Sequence, residues 1–233
     1  MPSSSKAWVP YTTGSSEASK HFHENERATE PLPTFLQRTK ALFTTPGQHK
    51  QILEEEGGSY WADFHAMRTN NGKQWMAPKH LFKAERSLYF PNLSGRTLAA
   101  EEAELLPLLG TTTLIRVFSA TSGEEHVHNL GEGLDLQVID INIQSNALKY
   151  GLLKVFLGRI KALIEPERHA KYFILGTGWE KKLKVIGIIN SYIGYSFLLD
   201  KSGKIRWASC GSLTKEERES LDKLSKRLKE LDQ

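Results

Sequence analysis

The chain has 233 residues and one cysteine, Cys210. A single thiol forms no internal disulfide and supplies no cysteine-rich zinc site, and this scarcity suits a reducing compartment. No apolar run reaches the roughly 18 residues that a membrane-spanning helix requires, so a soluble or peripheral protein is expected. A Gly-rich phosphate loop with its lysine is absent. Gly131-Glu132-Gly133 precedes a strand rather than a helix, which removes a dinucleotide reading. No Ser/His/Asp order of a hydrolase appears. His126 and His128 lie two apart in a segment of helical or loop character, where such positions diverge, and no partner stands at ligand spacing. No catalytic residue, no cofactor and no metal is expected, and the chain reads as a non-enzyme.

Hydrophobic residues make up 39% and charged residues 25%, enough for a buried core. The net charge of +4 and pI near 9.0 imply mild attraction to anionic surfaces, and no nucleic-acid partner is expected. Residues 1–30 are Ser/Thr-rich and carry Glu17, Glu24, Glu26 and Glu30. Those acids argue against a mitochondrial presequence, so an imported chain is expected to have lost its targeting segment already. This stretch is expected to form a disordered or loosely docked arm. Residues 31–86 read as a helical extension. Phe35, Leu36, Leu42 and Phe43 share one side, Pro46-Gly47 interrupts, and aromatics from Tyr60 to Phe82 follow. Residues 87–233 read as the folded domain.

Within it, residues 187–211 carry the strongest local pattern. An apolar run from Tyr195 to Leu199 meets Asp200-Lys201-Ser202-Gly203 and then Lys204 to Ala208. This predicts a β-hairpin with a turn built on Asp and Gly, and places Cys210 just past its second strand. Thr111 to Ser119 predicts a strand and Gly123 to Asn129 a short helix. Leu134 to Ile143 predicts a second strand, whose phase shift at Val138-Ile139 implies a bulge or burial on both faces. The two strands and their linking helix suggest a βαβ unit. Residues 146–165 predict the longest helix, with Leu152, Leu153, Phe156, Leu157, Ile160, Leu163 and Ile164 on one face. Thr214 and Glu217 form a capping box for a last helix with Leu221, Leu224, Leu228 and Leu231 as its stripe. The order strand, helix, strand, long helix, hairpin, helix matches a thioredoxin-like α/β sheet of about four or five strands with flanking helices.

Redox work on such a frame needs a thiolate at the N-terminus of the helix after the first strand. That loop reads FSATSGEEHV, residues 118–127, and holds no cysteine. Disulfide exchange and peroxide reduction are excluded there. Cys210 has two readings. It is a small buried residue at a strand end, or a thiol near Arg206 and the last helix's N-terminus whose pKa is lowered by positive potential. The second keeps open an alternative, a single-cysteine redox enzyme of thioredoxin-like or peroxiredoxin-like type. Helix 146–165 likewise packs on the sheet, or lies on an anionic membrane through Lys149, Lys154, Arg159 and Lys161.

Two segments carry a resemblance. The first is DFHAMRTNNGKQWMAPKHLFKAERSLYFPNLSGRTL, residues 63–98. The second has Asn190-Ser191-Tyr192, Gly194-Tyr195, Leu198-Leu199-Asp200 and Ile205-Arg206-Trp207-Ala208. Together they resemble the mitochondrial ATPase complex subunit ten family in its fungal form, from about residue 33 to 230. The FPNL stretch with Gly95 is also similar to the lead-in segment of peroxiredoxins. The resemblance implies a chaperone at the matrix side of the mitochondrial inner membrane that assists assembly of the ATP synthase membrane sector. It implies newly made subunit a as client, its joining to the ring of c subunits as outcome, and a possible peripheral contact with the inner membrane. Phe90, Pro91, Asn92, Leu93, Asn190, Tyr192, Tyr195, Arg206, Trp207 and Cys210 are the candidate partner-binding residues.

Overall fold

A computed structural model describes residues 73–144 and 157–233. Strand β3, Thr113–Phe118, is buried at every position. It pairs in parallel with β4, Gln137–Ile143, which pairs in parallel with β5, Tyr172–Leu175. Helix α1, Thr121–Val127, links β3 to β4, so the expected βαβ unit is present. Beyond β3 the hairpin adds β6, Tyr195–Leu199, and β7, Ile205–Cys210, both antiparallel. Beyond β5 a short hairpin adds β1, Ser94–Thr97, and β2, Glu102–Glu104. The sheet order is β2-β1-β5-β4-β3-β6-β7. Among the described residues its α-helices are α1, α2 over 157–163, α3 at Glu180–Val185 and α4 at Lys215–Asp232. The fold is a thioredoxin-like mixed sheet with flanking helices.

The sheet has seven strands rather than four or five. β1 and β2, SGRT and EAE, have no apolar alternation, and backbone pairing of β1 to β5 and of β2 to β1 holds them. β5 is four apolar residues, too short for periodicity to separate strand from helix. β4 holds no bulge. Ile139, Ile141 and Ile143 enter one core cluster, while Asp140 and Asn142 are buried on the other face. β7 runs to Cys210, so the thiol is inside the strand and not past it.

Each face of the sheet has its own core. One joins Ile115, Val117, Ile139, Ile141, Phe197 and Ile205 to Leu183 and Ile186 of the α3 region. The other joins Leu114, Leu198 and Trp207 to Leu221, Leu224 and Leu228 of α4. The capping box at Thr214 and Glu217 is formed in both directions. Leu231, expected on the apolar stripe, is 62% exposed. Polar contacts fix that last turn instead, Asp232 accepting from Thr112 at 2.7 Å and Lys229 pairing with Asp135. Leu157 and Ile160 of α2 and Ile164 just after it pack on the second core, whereas Leu163 is 87% exposed, so the buried arc is narrower than expected. The rest of the 146–165 pattern, the 1–30 arm and extension residues 31–72 lie outside the described residues. Residues 73–86 run as irregular chain with a single 3-10 turn, Ala84–Arg86.

A charged pair sits inside this apolar sheet. Arg116 of β3 faces Asp140 of β4 in register, and both are buried. The guanidinium binds the carboxylate through two bonds of 2.6 and 2.8 Å, and Arg168 binds the same carboxylate. Arg116 also donates to the carbonyls of Val127, His128 and Leu130, which end α1. A cation there answers the unpaired carbonyls and the negative end of the helix dipole. Asp140→Ala strands this guanidinium, and we expect it to lower the unfolding free energy by about 3–5 kcal/mol, read from urea midpoints. Lys226→Ala, which breaks the exposed pair with Asp222, is expected to cost under about 0.5 kcal/mol. Equal losses would refute the assignment.

Candidate functional site

The two segments singled out in the sequence meet in space. Residues 73–93 form a strap that runs antiparallel along β7, the sheet's outer strand on that side. Phe82 N–H donates to Arg206 O at 2.7 Å, Ile205 N–H to Leu88 O at 2.8 Å, and Phe90 N–H to Gly203 O at 2.9 Å. Tyr89 bridges Lys204. The Trp207 indole donates to Pro78 O at 2.9 Å. The strap also changes faces: Trp75, Phe90 and Leu93 enter the first core, while Ala77 and Leu81 pack on the second. An uncovered edge strand would present unpaired backbone groups to any other chain, and the strap removes that hazard.

The hairpin turn makes this possible. Asp200 Oδ1 accepts from Ser202 N–H, Ser202 Oγ and Lys204 N–H, an Asx turn closed by Gly203 in a left-handed conformation at φ 82°. At the next step the register slips: Leu198 faces Trp207, while Leu199 faces Ile205. Arg206 is the extra residue of that bulge, and bulges re-aim side chains. Its Nε donates to Phe82 O at 2.8 Å and its Nη1 pairs with Asp200 at 3.3 Å. Arg206 therefore ties turn to strap.

At the other end of β7 the strap closes over Cys210. The sulfur accepts from Gln74 N–H at 3.2 Å and Trp75 N–H at 3.4 Å, and its S–H donates to Trp75 O at 3.5 Å. Burial pushes the thiol pKa up, and the Trp75 and Gln74 donors and the nearby Lys73 charge only partly oppose it. The sharper expectation, a thiol made acidic by Arg206 and the last helix, is thus corrected. Arg206 is engaged with Asp200 and Phe82, and desolvation outweighs the positive charge that is present. Glu217 of α4 anchors the same end, accepting from Lys73 at 2.6 Å, Ala77 N–H at 2.8 Å and Thr214 N–H at 2.8 Å.

Next to Cys210 lies the loop where a redox thioredoxin-like protein would hold its thiols. Gly211 N–H donates to Gly194 O at 2.8 Å. Gly194 rests on Gly123 of α1, so closely that a Cβ at Gly194 would collide with the Gly123 carbonyl. Ser122 Oγ donates to Tyr192 O at 2.9 Å, and Gly194 N–H donates to His126 Nδ1 at 3.3 Å. Burial lowers the His126 pKa, which favours the neutral ring that accepts this bond. Among the described residues no group of His, Cys, Asp and Glu could hold a metal ion.

The candidate residues divide by burial. Phe90, Pro91, Leu93, Asn190, Tyr195, Trp207 and Cys210 are buried, while Asn92, Tyr192 and Arg206 are half-buried. Phe90 meets Phe197 edge-on, and Tyr195 donates to Gln74 Oε1 at 3.0 Å while accepting from Asn190 N–H at 2.9 Å. Asn92 accepts from Leu106 N–H at 3.0 Å. These residues hold strap, hairpin and loop together, and the buried ones present no face to a partner. Sequence reasoning missed Gln74, Trp75, Arg116 and Asp140. The signal for the last two was a charge inside each of two apolar strands.

A family model described as ATP10 protein matches residues 20–228. "Mitochondrial ATPase complex subunit ATP10" of Candida glabrata is 35% identical over 182 residues, 72% of this chain and 67% of that protein. "Probable mitochondrial ATPase complex subunit atp10" of Schizosaccharomyces pombe is 34% identical over 199 residues, 81% and 73% of the two chains. Among solved structures the chain is similar to BsSco, titled a member of the Sco family of cytochrome c oxidase assembly proteins. That match has 12% identity and a TM-score of 0.45, and covers 62% of this chain and 95% of that one.

Two outcomes follow from this geometry. Native Cys210 is expected to alkylate far more slowly than a free thiol, and Trp75→Ala to speed it by loosening the strap; equal rates in the two proteins would contradict the closure. His126 has a depressed folded-state pKa, so its contribution to stability is present above the unfolded histidine value and is lost as pH falls through the depressed one. Glu124, whose carboxyl is pushed up by burial and then by Asp140, works with the opposite sign. The comparison with His126→Gln isolates the histidine: the variant's unfolding free energy is expected to fall less between about pH 7 and 5 than the wild type's. Parallel curves would overturn it.

Proposed function

The chain belongs to the ATP10 protein family of mitochondrial ATP synthase assembly factors, and on that premise we propose that it binds newly made subunit a and promotes its joining to the c ring. It acts at the matrix side of the inner membrane, and it acts by binding rather than by catalysis. One observation carries the non-catalytic part. The frame is thioredoxin-like, yet its thiol loop reads Ser119-Ala120-Thr121-Ser122, and the lone thiol is sealed beneath the strap as a hydrogen-bond acceptor. A buried thiol whose pKa is raised is a poor nucleophile. No helix among the described residues is long and apolar enough to cross a membrane.

The physical need is plain. A membrane subunit with long apolar helices loses less by waiting against another protein than by exposing those helices to water. A rigid scaffold holds such a client without consuming a cofactor.

Crosslinking of the full chain to freshly translated membrane subunits is expected to enrich subunit a over a control matrix protein, and absence of enrichment refutes the client. Cys210→Ser is expected to retain that capture. Peroxide or glutathione turnover that vanishes in Cys210→Ser would instead favour the single-thiol enzyme.

A further inference from the structure

From residue 180 to 199 the chain contains three lysines and one acid, Glu180 at the start of α3. The structure divides this stretch in two. Leu183 and Ile186 turn inward to the first core beside Trp179. Lys184, Val185 and Ile189 turn outward, with Val185 49% and Ile189 57% exposed, and Ile188 and Lys182 are half-buried between them. The chain reverses tightly after α3, Gly187 N–H donating to Lys184 O and Ile188 N–H to Leu183 O, so these residues share one protruding knuckle. The Lys182 ammonium is held 5.0 Å from the Trp179 ring centroid, at the knuckle's base. Tyr192 follows in the next turn.

We propose that this knuckle is a docking surface for an anionic lipid bilayer. Its composition is that of an interfacial contact: aliphatic tips that enter the headgroup boundary and lysines that meet negative headgroups. Charge complementarity selects the occupant. An apolar protein groove would have no use for a rim of three lysines against one acid, and a soluble anion would have no use for the exposed Val185 and Ile189. Buried Leu183, Ile186 and Trp179 root the knuckle in the sheet, so docking would fix the orientation of the whole domain. This surface lies outside the strap, and it rests on the proposed membrane location only in its biological setting.

The experiment is flotation of the full chain with vesicles of phosphatidylcholine, alone and mixed with phosphatidylglycerol. Binding is expected only with the anionic lipid, weakening as salt rises. Each lysine near the surface is expected to contribute about fivefold, so Lys182→Gln with Lys184→Gln should lower partitioning on the order of twentyfold. Val185→Ser with Ile189→Ser should weaken binding while leaving its salt dependence unchanged. Lys215→Gln with Lys223→Gln, exposed positions on α4, should match wild type, and circular dichroism checks that every variant is folded. Three outcomes overturn the proposal: no binding to anionic vesicles, equal loss in the α4 control, or competition by inorganic phosphate with no effect of the serine variant. Capture of subunit a by the Lys182→Gln, Lys184→Gln chain in detergent reads the assembly role separately. Retained capture without vesicle dependence on the knuckle would sink this surface and leave that role standing.

Discussion

The closure of β7 by residues 73–93 is the constraint on which the rest of this structure depends. β7 would otherwise end the sheet with open backbone groups and with Trp207, Ile205 and Cys210 at the rim. An outer strand of that kind invites pairing with any extended chain. The strap answers the backbone at Ile205 and Arg206, the indole at Trp207 and the sulfur at Cys210. Because it crosses from one face of the sheet to the other, it also joins two cores that the sheet separates. Arg206 and Asp200 register the strap at the turn, and Glu217 with Lys73 registers it at the far end. The lone cysteine is therefore a packing and hydrogen-bonding element of the closure.

A second polar feature runs across the sheet. Tyr172, Asp140, Arg116, Ser196 and Ser209 lie opposite one another on β5, β4, β3, β6 and β7. All are buried. Slipping β3 or β4 by one residue would place an aliphatic side chain in this row and a charge in the opposite core. Buried charge costs free energy unless it is paired. Here Arg116 is paired with Asp140 and also satisfies the carbonyls at the end of α1, so the row fixes register and anchors a helix together.

Much of the frame was legible in the residues. The 195–199 and 205–210 hairpin, the β3-α1-β4 unit and the capping box at Thr214 follow from local pattern, because period and turn chemistry act over a few residues. β1 and β2 were illegible because β1 is held by its non-local pairing with β5, and β2 by its pairing with β1. The site was legible in part. The segments around 90–93 and 190–210 were the right places, but the pattern could not say that Phe90, Trp207 and Cys210 face inward. Arg206 was expected beside Cys210 or at a partner, because the bulge that turns it toward Phe82 depends on a register that no sequence period reveals. Leu163 and Leu231 failed in the other direction: each sits on an ideal helical stripe, yet each is exposed.

The strap and its partner strand are far apart along the chain; Gln74 reaches Cys210 across a separation of 136 residues. A ribosome releases the strap long before the strand it covers. Through nearly all of synthesis Trp75, Phe90 and Leu93 have no β7 to lie against, and contacts of such long range form late and slowly. The domain thus cannot mature piecemeal from its first residue onward. Its completion waits on the C-terminal hairpin, and a molecule cut short before Cys210 would keep both halves of the seam open.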